Sequence, residues 1–167
     1  MKGLYVGIDN GISGAVTVLN QEGAITSSFT LPSTRGRAYN ELDVRTFHKL
    51  MYDGGLCRDT VKAVVVEAPG GSQSAAAAVV MSGVFHALRA YLDLFQFRWE
   101  RVTPQAWQKV LLGANIPKGT TKALALDAAR RLWPVEKFLA TDRSKVPHEG
   151  IVDAALIAEY GRRFLRL

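Results

Sequence analysis

One cysteine in 167 residues, Cys57, sets the first constraint. It has no partner for an internal disulfide, and no thiolate cluster is left to hold zinc. That pattern fits a reducing compartment, and the cytoplasm is the expected setting. Long apolar runs are also scarce. The opening stretch MKGLYVGIDNGISGAV is broken by Gly7 and Asp9 and is too short and polar for a signal peptide or a membrane span, so no membrane association is expected. Internal repeats, low-complexity tracts and linkers are missing, and no segment is polar enough to stay disordered. Acids are in deficit: 15 Asp and Glu stand against 21 Lys and Arg. The resulting charge of +6 and pI near 9.7 favour polyanionic partners without identifying one.

What is present is ordinary for a globular chain, 48% apolar and 22% charged. The length suits one domain, expected to span residues 1–167. Leu4 to Ile8 is rich in strand formers, turns at Asn10-Gly11, resumes from Ala15 to Leu19, and turns again at Gln21 to Gly23. A third run, Ala24 to Leu31, ends at Pro32. These three read as antiparallel strands. Residues 32–42, carrying Arg35 and Arg37, read as a mobile loop. Asp43 can cap a helix whose apolar positions Val44, Phe47, Leu50 and Met51 keep the helical period, with Gly54-Gly55 as its stop.

Val61 to Val66 is continuously apolar, as befits a strand buried on both faces, and it ends in Glu67. A helix is expected from about Ser74 to Leu94. Its Ala75 to Ala78 block and Gly83 would let another backbone approach, as core packing or as a subunit interface. Phe95 to Val102 reads as a fifth strand, Pro104 to Leu112 as a short helix, and Thr120 to Trp133 as a helix ended by Pro134. Residues 134–147 form a loop and His148 to Leu167 a last helix. Three antiparallel strands followed by alternating helices and strands predict an α/β fold, a mixed five-stranded sheet flanked by helices.

That arrangement gives three acids a common location. Asp9 ends the first strand and Glu67 the fourth, at the carboxyl edge where open α/β sheets collect their ligands. Asp153 falls in line with Ile157, Tyr160 and Phe164 on the final helix, among inward-facing apolar positions. A buried carboxylate needs a cation or a proton to offset the loss of water. Glu149 lies one turn earlier on the same face and His148 adjoins it, so the helix start offers a metal-binding corner. Each acid taken singly has a structural reading as a turn former, strand end or amphipathic boundary; their joint placement favours chemistry.

The segments GIDNGISGAV, VVVEAP, VTPQAWQKVLLG and HEGIVDAALIAEYGRR together resemble, in order, the motifs of RuvC-type Holliday junction resolvases, especially compact phage-type members. The resemblance implies an RNase H-like fold, a homodimer, and an endonuclease that nicks four-way DNA junctions with two Mg²⁺ ions per active site, Mn²⁺ substituting. Asp9, Glu67 and Asp153 match the family's first, second and last acids. Where many members place an acid or His three residues before the last Asp, this chain has Gly150. Glu149 is the preferred fourth ligand and His148 the alternative. The family's bacterial members carry an aromatic after the second acid; Ala68 to Ser74 contains none, and Gly70, Gly71 and Ser72 read instead as a flexible loop able to approach DNA.

Carboxylates suit the implied reaction because hard oxygen ligands hold Mg²⁺, and paired ions about 4 Å apart serve both the attacking water and the departing oxygen. Lys109, Lys118, Lys122, Arg130 and Arg131 precede the last helix and are the expected phosphate contacts, with Arg143 and Lys145 following in its loop. Lys122 resembles a family basic position near the scissile phosphate. Trp107, at helical spacing from Val110 and Leu111, reads as core rather than as a base-stacking platform. Three rivals stay open. An actin-like ATPase would need a second lobe; a YqgF-like nuclease would share the acids but cut RNA; a non-catalytic branched-DNA binder would not need the intact acids.

Overall fold

The computed structural model describes residues 3–11, 13–36, 39–70 and 74–165. Arg37, Gly71 and Ser72 therefore lie outside the described residues, and with them part of the expected flexible loop.

The sheet is built first from local pairing. β1 (Leu4–Asp9), β2 (Ala15–Leu19) and β3 (Ile25–Thr30) form the expected antiparallel meander, with Ile8 opposite Val16 and Val16 opposite Phe29. The expected loop at 32–42 instead holds a small antiparallel hairpin, β4 (Ser33–Arg35) with β5 (Asn40–Leu42). Its strands are three residues long and almost wholly exposed, too short and polar for alternation to reveal them. α1 (Val44–Asp53) begins where Asp43 accepts the backbone N–H of Thr46 at 3.1 Å, and it stops at Gly54.

β6 (Val61–Glu67) then enters beside β1 in parallel, Ile8 opposite Val66. α2 (Ala75–Leu94) crosses over and β7 (Trp99–Val102) pairs with β6, giving the strand order β3-β2-β1-β6-β7. This is the mixed, helix-flanked sheet of an RNase H-like α/β fold. β7 starts four residues later than expected. Gln96 adopts a left-handed φ of 56° and the Phe97 N–H closes on the Leu92 carbonyl, so the aromatic run after α2 is spent ending the helix.

α3 (Pro104–Leu111), α4 (Thr121–Leu132) and α5 (Glu149–Phe164) complete the chain, the last ending three residues before the expected limit. Each face of the sheet buries its own apolar cluster. Val6, Ile8, Val64 and Val66 face α1 and α2, while Tyr5, Ala63 and Val65 face α5 and α4. α5 is the central helix of the second layer. It is buried from Gly150 to Glu159 almost all round, a wider contact than the single stripe expected, whereas Phe164 is half exposed.

α2 is amphipathic along its length rather than around it. Val84, Phe85, Leu88, Tyr91 and Leu92 pack on the sheet, but Ala75, Ala76, Ala78 and Val79 are exposed and a β-carbon at Gly83 would meet nothing within 4 Å. Core packing is thus ruled out for the small residues of the first half. α2 is also the one helix among the described residues long and apolar enough, by length and composition, to cross a membrane.

Candidate active site

The parallel pairing of β1 and β6 brings Asp9 and Glu67 to the same edge of the sheet. Their ends are latched together, because the Asn10 side-chain amide donates to the Glu67 backbone carbonyl at 2.9 Å. Asp9 Oδ1 accepts the Gly11 N–H at 2.9 Å, which fixes the carboxyl at the head of the turn. Glu67 Oε1 accepts the indole N–H of Trp107 at 2.7 Å. The two carboxyl groups are close enough to act on each other's protonation.

α5 delivers the third acid. Gly7 and Gly150 let its backbone settle onto β1: a β-carbon at Gly7 would lie 2.1 Å from the Ala154 carbonyl oxygen, and one at Gly150 would lie 2.3 Å from the Ser13 carbonyl oxygen and 3.1 Å from Asp9 Oδ2. The Thr17 hydroxyl adds a 3.3 Å bond to the Ile151 carbonyl. Asp153 is thereby close enough to Asp9 and Glu67 for its charge to act on them.

Crowding buried carboxyls has an electrostatic cost that proton uptake relieves. Burial, then the charge of Asp9, pushes Glu67 up to about 8, with Asp153 adding to the shift and the Trp107 N–H opposing it. Burial, then Asp9 and Glu149, pushes Asp153 up to about 7, against the pull of Lys122. Asp9 is raised by burial despite the Gly11 N–H, the Glu67 carboxyl and the nearby charge of His148. Glu67 and Asp153, which hold protons near neutrality, are poised to exchange them for a cation.

The two contested positions behave differently. Glu149 points outward and pairs with Lys122 at 2.6 Å, both side chains mostly exposed. His148 caps α5 through its backbone without a side-chain bond, and its buried Nδ1 finds no hydrogen-bond partner among the described residues. Its ring lies beside Gly150, with Cε1 3.2 Å from where a β-carbon would stand. Asn10 Oδ1 is likewise buried and unpartnered among the described residues. Two orphaned lone-pair donors beside three carboxyls suit a divalent cation. Among the described residues, however, no three His, Cys, Asp or Glu side chains are already gathered tightly enough to hold one.

The basic residues separate into groups. Lys122 joins Glu149 and Asp153 around a cavity of about 220 Å³ at the acid edge. Lys109 and Lys118 line a second cavity of about 450 Å³ between α3 and the start of α4, with Gln105 and Gln108. Arg130 and Arg131 are exposed in the last turn of α4, roughly 12 Å along the axis from Lys122, and are not brought to the acids. Arg143 and Lys145 are exposed in the loop before α5. A cavity of about 530 Å³, lined by His48, Tyr52, Tyr91, Phe95 and Phe97, opens where β6 and β7 begin, at the opposite end of the sheet from the acids.

The expectation that Trp107 is a core residue holds, since it is fully buried. Its bond to Glu67, 40 residues away in sequence, was not foreseen, and helical spacing carries no signal for it.

No family model matches the chain, and no curated protein matches it. Solved structures do. A Thermus thermophilus RuvC structure aligns at a TM-score of 0.55 and 15% identity over 95% of each chain. A T. thermophilus RuvC in complex with a Holliday junction substrate aligns at 0.53 and 14% identity, covering 93% of this chain and 90% of that one. The shared fold extends over nearly the full length of both.

Proposed function

We propose that this chain is a divalent-metal-dependent endonuclease that resolves four-way DNA junctions by paired nicks. The observation that carries the reading is the meeting of Asp9, Glu67 and Asp153, one buried and two partly buried acids from β1, β6 and α5, at one edge of the sheet. A fold shared with a protein solved on a Holliday junction supports the choice of substrate.

Asp9, Glu67 and Asp153 would hold Mg²⁺ or Mn²⁺, with His148 the better-placed fourth ligand because Glu149 is engaged by Lys122. When bound, the metal would supply positive charge for the phosphate oxygens and make an attacking water more acidic. The protein's part is to place the phosphodiester. Lys122, released from Glu149, can meet a phosphate oxygen at the cavity beside Asp153, and Lys109 and Lys118 can carry the flanking backbone. No side chain serves as nucleophile in this scheme.

Two coordinated nicks require two active sites, so the working form is proposed to be a homodimer. The exposed small-residue half of α2 is the face proposed for it.

The deciding experiment offers labelled four-way junctions, linear duplex and structured RNA to the protein with Mg²⁺, Mn²⁺ or EDTA. Symmetric cuts in opposing junction strands that require metal are expected. Preferential cleavage of RNA, or cutting that survives EDTA, would overturn the proposal.

A further inference from the structure

All three tryptophans spend their indole N–H on a protein acceptor, but the acceptors differ in kind. Trp133 donates to the Gly23 backbone carbonyl and Trp99 to Asp93 on the surface, each at 2.7 Å. Trp107 donates to Glu67 Oε1, also at 2.7 Å, from a ring with no exposed surface. An indole is a donor with no acceptor capacity, and a buried one must be satisfied. Here that need is met by one of the acids at the catalytic edge.

We propose that Trp107 is a positioning residue for the metal: by donating to Oε1 of Glu67 it fixes the orientation in which that carboxyl stands beside Asp9. The inference rests on the reading of the acids as metal ligands.

The choice of donor matters chemically. An Arg or Lys in this place would bring a full positive charge and compete with the cation for the carboxylate. A neutral N–H orients the group and leaves its charge available. The indole is also held rigidly. α3 is launched by Thr103, whose hydroxyl accepts the Ala106 N–H at 3.3 Å, with Pro104 in the first turn. The ring then lies in the core cluster with Val102, Ala129, Ile151 and Leu156. The Asn10 amide grips the backbone of the same glutamate, so Glu67 is held at both its carbonyl and its carboxyl. Outer hydrogen bonds of this kind commonly set the affinity and geometry of a metal site.

The test uses the full chain labelled with ¹⁵N-tryptophan. Its three indole resonances are assigned from Trp99→Phe and Trp133→Phe, leaving Trp107 by elimination. On titration with Mg²⁺, the Trp107 resonance should move saturably and the other two should stay. Calorimetry with Mn²⁺ should show Trp107→Phe weakening binding by about tenfold. Trp133→Phe, which also removes a largely buried indole bond, should bind Mn²⁺ as the parent does. In a Glu67→Gln background, Trp107→Phe should add no further loss.

An unmoved Trp107 resonance in a protein that binds metal overturns the proposal while leaving the metal site intact. So does equal weakening by Trp107→Phe and Trp133→Phe, which would mean general loosening. Absence of any Mg²⁺ or Mn²⁺ binding by the parent chain overturns the metal reading itself. Because the resonance experiment does not need Trp107→Phe, failure of that variant to fold does not remove the test.

Discussion

A β-carbon at Gly7 would lie 2.1 Å from the carbonyl oxygen of Ala154, so β1 and α5 meet backbone to backbone with no room for a side chain. That contact sets how closely Asp153 can stand to Asp9, each within a residue or two of it along its own element. Gly7→Ala should therefore lift α5 off the sheet, at a cost of about 3 kcal/mol in stability, and abolish cleavage. Gly161→Ala, on the same helix more than two turns beyond Asp153, meets the buried Val65 side chain at 2.4 Å rather than backbone. It should cost about 1–3 kcal/mol and leave cleavage in place. Denaturant titration and junction cutting measured on both variants separate the two; equal loss of activity would show that the close approach at Gly7 has no special bearing on the acids.

The pH dependence of stability follows from the raised carboxyls. Glu67 at about 8 and Asp153 at about 7 keep their protons in the folded state where the unfolded chain has already lost them. The folded state then binds more protons, so metal-free stability falls as pH rises from roughly 4.5 toward 8. The Tm in EDTA should drop by several degrees across that window. Mg²⁺ should restore it most at the alkaline end, where it replaces the missing protons. Asp153→Asn should raise the Tm in EDTA at pH 8 and lose much of the Mg²⁺ response. A flat Tm between pH 5 and 8 in EDTA would contradict the electrostatic account.

Much of this arrangement is readable in the sequence because it follows from short periods. β2 and α1 coincide with a strand-forming run and a capped apolar helix, and Asp9 and Glu67 end strands that pair in the way a buried parallel strand beside a meander requires. What escapes is set by long-range contact. The β4–β5 hairpin is too short for alternation to show, and the Phe95–Phe97 run reads as strand until the left-handed turn at Gln96 is known. The departure at Gly150 reads as a missing ligand, whereas Ser13 and Asp9 leave no space for a side chain there. Neither the Trp107 bond nor the turning of Glu149 toward Lys122 has a local signature.

At the far end of α5 a buried ion cluster holds the helix to the meander. Glu159 is 2% exposed and accepts Arg162 at 2.6 and 2.9 Å and Arg163 as well, while Arg162 also reaches the Gln21 carbonyl at 3.3 Å. Glu159→Ala would leave two guanidinium groups, one of them only partly exposed, without their carboxylate. A loss of about 3 kcal/mol is expected, lowering the Tm by roughly 10 °C. Metal affinity should be unchanged, since the cluster lies at the other end of the helix from Asp153. Thermal melts and Mn²⁺ calorimetry on the same preparation check both halves.

The fourth ligand can be decided by two neighbouring substitutions. His148 has a buried Nδ1 with no partner among the described residues, and its side chain makes no cap bond; Glu149 is exposed and paired with Lys122 at 2.6 Å. If the ring completes the site, His148→Ala should weaken Mn²⁺ binding by roughly 10-fold to 100-fold, with a corresponding fall in cutting at low metal that high metal partly recovers. Glu149→Gln should leave Mn²⁺ affinity within about twofold, because surface ion pairs contribute little. It should instead tighten junction binding in EDTA by freeing Lys122 for phosphate, and steepen the salt dependence of that binding. Calorimetry and junction binding at several salt concentrations yield both readouts. The reverse pattern, with Glu149→Gln losing the metal and His148→Ala keeping it, would return the ligand to Glu149 and require that the Lys122 pair open when the cation binds.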